Sequence, residues 1–427
     1  MSENNVPHAN GAKVTDTKAP QRTARLALPE NVHMNSGDSD GDYDGEEDGP
    51  EEESGDPLAH FPDETEELDL VHSRLFSLDR LRLPRFAAHL QKLCLRQNFI
   101  STLDPEVFSL LTNLVELDLY DNKIKHVGDA VNNLSALVVL DLSFNLLKSI
   151  PDTLHHLTSL RTIYFVQNRI SKITGLQGVG ETLRSLELGG NKLRKIENLD
   201  ALINLEELWL GKNKIAKLEN FSGLKSLKIL ALQSNRITKI ENLEALINLE
   251  ELYLSHNGVE YLENLEHNTK LTTLDVGSNF ISEVENLSHL NHLTELWINN
   301  NKINTLQALE PQLGTLPLQT IYLEGNPCQQ AEGANYRRKI MLSLPALTQI
   351  DATRVPLPTL ISAELYGLTP TALQVYEASV SGPHVVVMSL SCHILALVWH
   401  TSVISLVKPV VTWASSTPGG FRVPVSL

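Results

Sequence analysis

The sequence predicts an α/β solenoid, with one parallel sheet on the concave face and 3₁₀ turns and short helices on the convex face. The phrase L-x-x-L-x-L-x-x-N-x-[IL] occurs eleven times between Leu90 and Asn326. Its asparagines recur every 22 to 25 residues, a period typical of solenoids built from one repeated unit. Within each phrase, L-x-L alternates as a short strand with one buried face would.

The phrase itself is typical of leucine-rich repeats. An asparagine suits the turn after the strand because its amide both donates and accepts hydrogen bonds, so it can bond adjacent turns. A period of 22 leaves little room on the convex side, which favours 3₁₀ turns or short helices. The eleven asparagines are Asn98, Asn122, Asn145, Asn168, Asn191, Asn213, Asn235, Asn257, Asn279, Asn301 and Asn326.

The segments around the repeats differ in composition. Residues 1–56 are polar and are expected to be a disordered acidic arm. Residues 57–89 look like an N-terminal cap with a degenerate repeat, because Ser73 stands where asparagine is expected. Residues 90–326 hold the eleven repeats. Residues 327–355 are predicted to form a C-terminal cap, in which a helix with Ile340 and Leu344 covers the open end.

Residues 356–427 form an apolar tail of uncertain structure. No charged residue occurs from Val385 to Val407, a length that could span a bilayer. One interpretation is a membrane anchor, and the other is an alternative C-terminus without a fold of its own. Serines and histidines within the stretch disfavour insertion, so we expect no membrane partner.

The net charge of −17 comes almost entirely from one run. From Asp38 to Asp69 there are 16 acidic residues and no lysine or arginine. No basic patch stands out along the sequence, which argues against nucleic acid as a partner. Ser39, followed by Asp40 and Asp42, suits an acidophilic kinase, although a solvated tail without a specific role is the alternative.

The expected cellular compartment and the expected lack of catalytic chemistry both rest on motifs that the sequence does not contain. Three distant cysteines and an N-terminus without an apolar core fit an intracellular protein, which we expect in the nucleus and cytoplasm. No phosphate loop, nucleophile elbow, zinc-protease motif or C-x-x-C motif occurs. We therefore expect no enzyme activity, metal or cofactor.

The outward positions of the strands carry the functional signal. The slot inside L-x-L holds five Tyr or Trp and four Asp or Glu among eleven residues, and the slot two residues earlier adds Glu116, Glu207, Glu251 and Glu295. Aromatic residues favour strands in general, but this preference accounts for only one or two of them. Tyr and Trp are the preferred anchors of protein interfaces, so we interpret the concave face as a binding surface.

Several phrases go beyond the generic repeat. They include K-I-E-N-L at Lys195 to Leu199, L-G-K-N-K-I at Leu210 to Ile215, E-L-Y-L-S-H-N-G at Glu251 to Gly258, and Y-R-R-K-I-M-L-S-L-P-A-L-T-Q-I-D-A-T at Tyr336 to Thr353. With them, residues 65 to 355 resemble the leucine-rich-repeat regulatory subunit 7 family of protein phosphatase 1. The apolar tail has no counterpart in that family.

The resemblance implies a non-catalytic regulatory or scaffold subunit that binds the catalytic subunit of Ser/Thr protein phosphatase 1 through its concave face, with a further phosphatase inhibitor subunit as an additional candidate partner. It implies partner contacts at Asp141, Tyr164, Glu187, Trp209, Asp275, Glu295, Trp297 and Tyr322, and the spacing adds Tyr253. The alternative is an acidic leucine-rich nuclear protein that chaperones basic proteins such as histones through the acidic run.

Overall fold

The computed structural model describes residues 23–25 and 56–355, so the apolar tail and most of the acidic arm lie outside the described residues. Fifteen short strands form one sheet in sequence order, and every neighbouring pair is parallel except the last, which is antiparallel. The predicted parallel solenoid is thereby confirmed. The strands are β1 Thr23–Arg25, β2 Glu67–Asp69, β3 Lys92–Cys94, β4 Glu116–Asp118, β5 Val139–Asp141, β6 Thr162–Tyr164, β7 Ser185–Glu187, β8 Glu207–Trp209, β9 Ile229–Ala231, β10 Glu251–Tyr253, β11 Thr273–Asp275, β12 Glu295–Trp297, β13 Thr320–Tyr322, β14 Gln349–Ile350 and β15 Thr353–Arg354.

The convex side consists of turns and short helices, as predicted. Between Leu188 and Ala308, where the period is 22, the structure describes only turns and bends besides the strands. No helix of the described part is long and apolar enough to cross a membrane. The α-helices are α1 Pro105–Phe108, α2 Leu309–Leu313, α3 Pro327–Glu332 and α4 Tyr336–Ser343, and the 3₁₀ helices are Asp79–Leu81, Leu83–Phe86, Asp152–His156, Gln177–Val179 and Gly333–Asn335.

Each strand from β2 to β13 buries its middle residue and turns its first residue outward. Leu208, Leu230 and Leu252 are examples, each fully buried between turns. Burying one such leucine side chain contributes about 2 kcal/mol, and the repeats supply several per turn. The core is therefore a continuous stack of leucine layers rather than one central cluster.

The phrase asparagines form a ladder along the solenoid. In all eleven, the side-chain oxygen accepts the backbone N–H of the preceding turn, as Asn279 does from Val259 at 3.0 Å. The Asn279 Nδ2 donates to the carbonyls of Leu254, Val276 and Gly277 at 3.0, 3.0 and 3.1 Å. One side chain thus fixes its own turn to the one before it.

The two ends close in different ways. At the N-terminal end, β1 pairs in parallel with β2, which differs from the disorder expected for these three residues of the arm. The unpaired edge of β2 explains this, because an open edge offers free backbone donors and acceptors to a further strand. At the C-terminal end, helix α4 buries Ile340, and Asp351 accepts the N–H groups of Leu323 and Glu324 at 2.8 and 2.9 Å, in the place of a ladder asparagine.

Replacing a ladder asparagine is expected to destabilise the solenoid strongly. Asn279→Ala removes four hydrogen bonds and leaves buried backbone groups unpaired, at an expected cost of about 3 kcal/mol. Urea unfolding followed by circular dichroism measures the change. The matched control is Asn204→Ala, which removes a single exposed bond to the Glu181 carbonyl and should cost less than about 1 kcal/mol. Equal losses for the two variants would contradict the structural role of the ladder.

Candidate protein-binding face

The sheet gathers the outward residues into straight columns. Because the strands pair in register, the third residue of each strand from β3 to β13 lies beside its counterpart on the next strand. We call this set the central column. It contains Cys94, Asp118, Asp141, Tyr164, Glu187, Trp209, Ala231, Tyr253, Asp275, Trp297 and Tyr322.

Four rings in the central column touch one another and form an aromatic ridge of Trp209, Tyr253, Trp297 and Tyr322. The ring centroids of Trp209 and Tyr253 are 6.3 Å apart, and the rings are stacked. Trp297 meets Tyr253 at 6.5 Å and Tyr322 at 5.5 Å, both edge to face. Such pairs contribute about 1 kcal/mol each beyond their buried area, so the ridge is a preorganised surface.

Small or buried residues between the rings make the ridge continuous. Trp209 and Tyr253 are two strands apart, and Ala231 between them is only 1% exposed. Asp275 lies between Tyr253 and Trp297 and is only 5% exposed. The sequence predicts Asp275 as a partner contact, and the structure buries its carboxylate, whose Oδ1 accepts the Gly277 N–H at 3.0 Å.

Polar groups hold the rings in place. The Tyr253 hydroxyl donates to Glu251 Oε2 at 2.6 Å, and burial together with this carboxylate raises the pKa of Tyr253. Gln349 Nε2 donates to the Tyr322 hydroxyl at 2.7 Å. Trp297 Nε1 is buried and has no acceptor among the described residues. Two of the four rings are thus oriented by side chains of the same face.

The other end of the central column is acidic. Asp141 and Glu187, which we call the acidic pair, flank Tyr164 on strands β5 to β7. Burial raises the pKa of Asp141 and of Glu187. Repulsion by Asp118 adds to the shift of Asp141, and repulsion by Asp141 adds to the shift of Glu187. Burial and the two carboxylates also raise the pKa of Tyr164. Negative charge is held here in a half-buried site, which favours the approach of a cation.

A second column borders the ridge with carboxylates. Glu207, Glu251 and Glu295 are the first residues of strands β8, β10 and β12, and each is two residues before a ring of the ridge. All three are half-buried, and Glu207 accepts a hydrogen bond from the Ser185 hydroxyl at 2.9 Å. Every other strand from β8 to β12 therefore presents a glutamate and an aromatic ring on the same face.

A third column, which the sequence did not reveal, contains glycines on the opposite side of the ridge. Gly189, Gly211 and Gly277 stand two residues after Glu187, Trp209 and Asp275. A Cβ at Gly277 would lie 2.7 Å from Asn299 Oδ1, so a side chain there would require a shift. The recurring L-x-[LV]-G in these repeats is the sequence signal that could have revealed this column of glycines.

The N-terminal turns show a different arrangement. Arg96 Nη1 pairs with Asp118 Oδ2 at 3.0 Å, and its guanidinium lies over the Tyr120 ring at 4.1 Å. The carboxylate of Asp118 is therefore already paired, unlike the acidic pair. Within the described residues, no group of three or more His, Cys, Asp or Glu is placed to hold a metal ion.

Removing one charge of the acidic pair is expected to stabilise the isolated protein in a pH-dependent way. A carboxyl whose pKa is raised by folding contributes stability that is full below its unfolded pKa and is lost as the pH rises through its folded pKa. Asp141→Asn, which keeps the acceptor for the Ser143 N–H, should therefore raise the free energy of unfolding at neutral pH. The gain should shrink as the pH falls toward about 4.

Urea unfolding at several pH values between about 4 and about 8 measures this effect. Asp200→Asn, at an exposed position outside the columns, is the matched control and should change stability little at any pH. A gain from Asp141→Asn that is the same at every pH would contradict the electrostatic explanation.

Comparison with known proteins agrees with this architecture. Sequence patterns described as leucine-rich repeats match residues 64–124, 88–137, 121–170 and 182–266, and a two-copy pattern matches residues 269–311. Among solved structures, an internalin of Listeria monocytogenes has a TM-score of 0.54 at 23% identity, over 67% of this chain and 86% of that chain. The leucine-rich repeat domain of APL1 has a TM-score of 0.55 at 26% identity, over 63% of this chain and 70% of that one.

Curated relatives match over shorter stretches. Protein phosphatase 1 regulatory subunit SDS22 of Saccharomyces cerevisiae is 52% identical over 74 residues, which are 17% of this chain and 22% of that protein. Protein phosphatase 1 regulatory subunit 7 of Xenopus tropicalis is 60% identical over 47 residues, which are 11% of this chain and 13% of that protein. Each match spans less than a quarter of the relative's length. The resemblance predicted from the repeat phrases is confirmed, and the chain belongs to the leucine-rich-repeat proteins.

Proposed function

We propose that this protein is a non-catalytic regulatory subunit that binds the catalytic subunit of a Ser/Thr protein phosphatase, protein phosphatase 1, through its concave face. The observation that supports this proposal is the aromatic ridge, four rings in contact and bordered by Glu207, Glu251 and Glu295. The relatives described above are named as regulatory subunits of that phosphatase, which supports this identity of the partner.

The ridge has the properties of a binding hot spot. Tyr and Trp bury large areas with few rotatable bonds, and in this protein their rings are already ordered by contacts with one another. The carboxylates around them and the acidic pair would meet lysines or arginines of the partner. Such a surface recognises a folded protein with a basic rim around an apolar patch.

The same proposal covers compartment and further partners. A nuclear and cytoplasmic location suits a regulator of an intracellular phosphatase, and the thiol of Cys328 is buried and free of any disulfide. A phosphatase inhibitor subunit is a further candidate partner. It would bind alongside the catalytic subunit rather than to the ridge.

Truncating the ridge is expected to abolish binding without unfolding the repeats. Trp297 contacts Tyr253 and Tyr322, so Trp297→Ala should cost about 2 to 4 kcal/mol of binding free energy, a loss of roughly 30- to 1000-fold in affinity. Calorimetric titration with the purified catalytic subunit measures the affinity, and circular dichroism reports the fold. Glu295→Ala should weaken binding as well, because it removes the charge beside the same ring.

The matched control is Tyr261→Ala, since this tyrosine is 58% exposed and lies outside the strands. It should bind as the unchanged protein does. Retained affinity in a folded Trp297→Ala, Glu295→Ala double variant would refute the proposal. Binding of basic proteins such as histones that is lost on deletion of residues 1–60, and kept by the Trp297 and Glu295 variants, would favour the histone-chaperone alternative instead.

Charge and ring should respond differently to salt. Long-range attraction by Glu295 is screened at high ionic strength, whereas burial of Trp297 is not. Glu295→Gln should therefore lower the association rate most at about 0.05 M salt and little at about 0.5 M. Trp297→Ala should raise the dissociation rate at both concentrations. Surface plasmon resonance separates the two rates, and a salt-independent effect of Glu295→Gln would contradict the steering role.

A further inference from the structure

A column of like charge lies outside the concave face, one residue after the ladder asparagines. Its members on four successive turns are Arg169, Lys192, Lys214 and Arg236. The ladder aligns them, because the N–H of each residue donates to a carbonyl of the preceding turn, as Lys192 does to Ile170 at 2.8 Å and Lys214 to Leu193 at 2.8 Å. The side chains therefore project side by side from one flank of the solenoid.

A parallel column begins three residues further along each turn. It consists of Lys172, Lys195, Lys217 and Lys239, all exposed. We call the two columns together the basic stripe, eight lysines and arginines on four turns. The same positions in the next two repeats hold Gly258 and Tyr261, then Phe280 and Glu283, so the stripe ends sharply after the repeat of Asn235.

The charges of the basic stripe are not neutralised by the folded repeats. Among the described residues, none of the eight forms an ion pair. Glu197, Glu219 and Glu241, each two residues beyond a stripe lysine, are half-buried and make no such pair either. Because the turns are stacked about 5 Å apart, the like charges of neighbouring turns repel one another. An anionic partner would therefore stabilise this flank.

The chemistry of the stripe favours a polypeptide over a nucleic acid. Its eight positions contain no aromatic residue on which a base could stack. The concave face, with the acidic pair and a column of glutamates, would repel a phosphate backbone lying across it. An extended chain of carboxylates is thin enough to follow the flank alone.

This chain contains such a segment. Between Asp38 and Glu53 there are ten acidic residues and no lysine or arginine. The thirty residues from 26 to 55, between β1 and the start of the cap, span about 100 Å when extended, or about 50 Å out and back. The stripe runs from the turn after β6 to the turn after β9, four to seven strand spacings or about 19 to 34 Å from β2. Residues Asp38–Asp48, near the middle of the thirty, can therefore reach it, whereas Glu51–Glu53 are within five residues of Asp56 and cannot.

We propose that the basic stripe is the docking surface for the acidic segment Asp38–Asp48 of the same chain. Tethering gives the segment an effective concentration in the millimolar range, which favours it over an acidic segment of another molecule. The contact is electrostatic and should be weakened by salt. It lies on a surface other than the aromatic ridge, so it does not depend on the proposed phosphatase partner.

Carbodiimide cross-linking of the full-length chain alone tests the proposal. The reagent joins a carboxylate to a lysine amine in contact with it, and mass spectrometry identifies the two residues. We expect most cross-links from Asp38–Asp48 to fall on the six stripe lysines, Lys172, Lys192, Lys195, Lys214, Lys217 and Lys239, and to decrease about tenfold between about 0.05 M and 1 M salt. The exposed lysines Lys225 and Lys270, outside the stripe, should form few.

Two comparisons decide the outcome. Charge reversal at the lysines of the second column (K172E, K195E, K217E and K239E) should remove cross-linking to Lys192 and Lys214, the two stripe lysines that remain. The control variant K225E with K270E should leave cross-linking to the stripe unchanged. Circular dichroism should show that both variants are folded. A mixture of ¹⁴N- and ¹⁵N-labelled chains should give cross-links within one isotope only. Mixed-isotope cross-links would assign the stripe to contact between copies, and cross-links spread over all exposed lysines would exclude docking. Either result overturns the proposal.

Discussion

The asparagine ladder is the interaction on which the rest of this structure depends. A buried amide that donates to its own turn and accepts from the previous one can be satisfied only if consecutive turns are stacked in phase. That phase sets the strand register, and the register aligns every outward position with its counterpart one repeat away. The columns of the concave face and the basic stripe are both consequences of this alignment, although neither contains a ladder residue.

The repeat period also explains which features of the structure the sequence could predict. Position within the repeat determines whether a side chain points inward or outward, so the parallel sheet and the outward location of Trp209, Tyr253 and Trp297 were predictable. Burial within the outward columns was not, because it depends on the size of neighbours one strand away. Asp275 is buried although it occupies an outward position between Tyr253 and Trp297, whose ring centroids are 6.5 Å apart, and Gln349 of β14 donates to the Tyr322 hydroxyl. The strand Thr23–Arg25 forms because β2 has an open edge, which composition does not reveal.

Stacking of the turns also brings residues that are distant in sequence together into surfaces of like charge. Along the sequence, the members of each stripe column are separated by 22 or 23 residues, so no basic patch is apparent until the turns are superimposed. The acidic pair behaves similarly, since Asp141 and Glu187 are 46 residues apart, yet the Asp141 carboxylate raises the pKa of Glu187. Each such column carries a cost in the isolated protein that an oppositely charged partner would relieve. The outward columns of a solenoid can therefore be specialised for binding while its leucine core remains the same from turn to turn.

The two ends of the central column differ in a way that specifies orientation. The aromatic ridge occupies β8 to β13, about 24 Å, and the acidic pair occupies β5 to β7. A partner with an apolar patch at one end and basic residues at the other matches this order in only one direction along the solenoid. Reversed docking would place cations on Trp297 and Tyr322 and apolar groups on half-buried carboxylates, leaving both charges without partners. For such a partner, affinity would come mainly from the rings and direction from the carboxylates, because desolvating an unpaired charge costs more than a misplaced apolar contact gains.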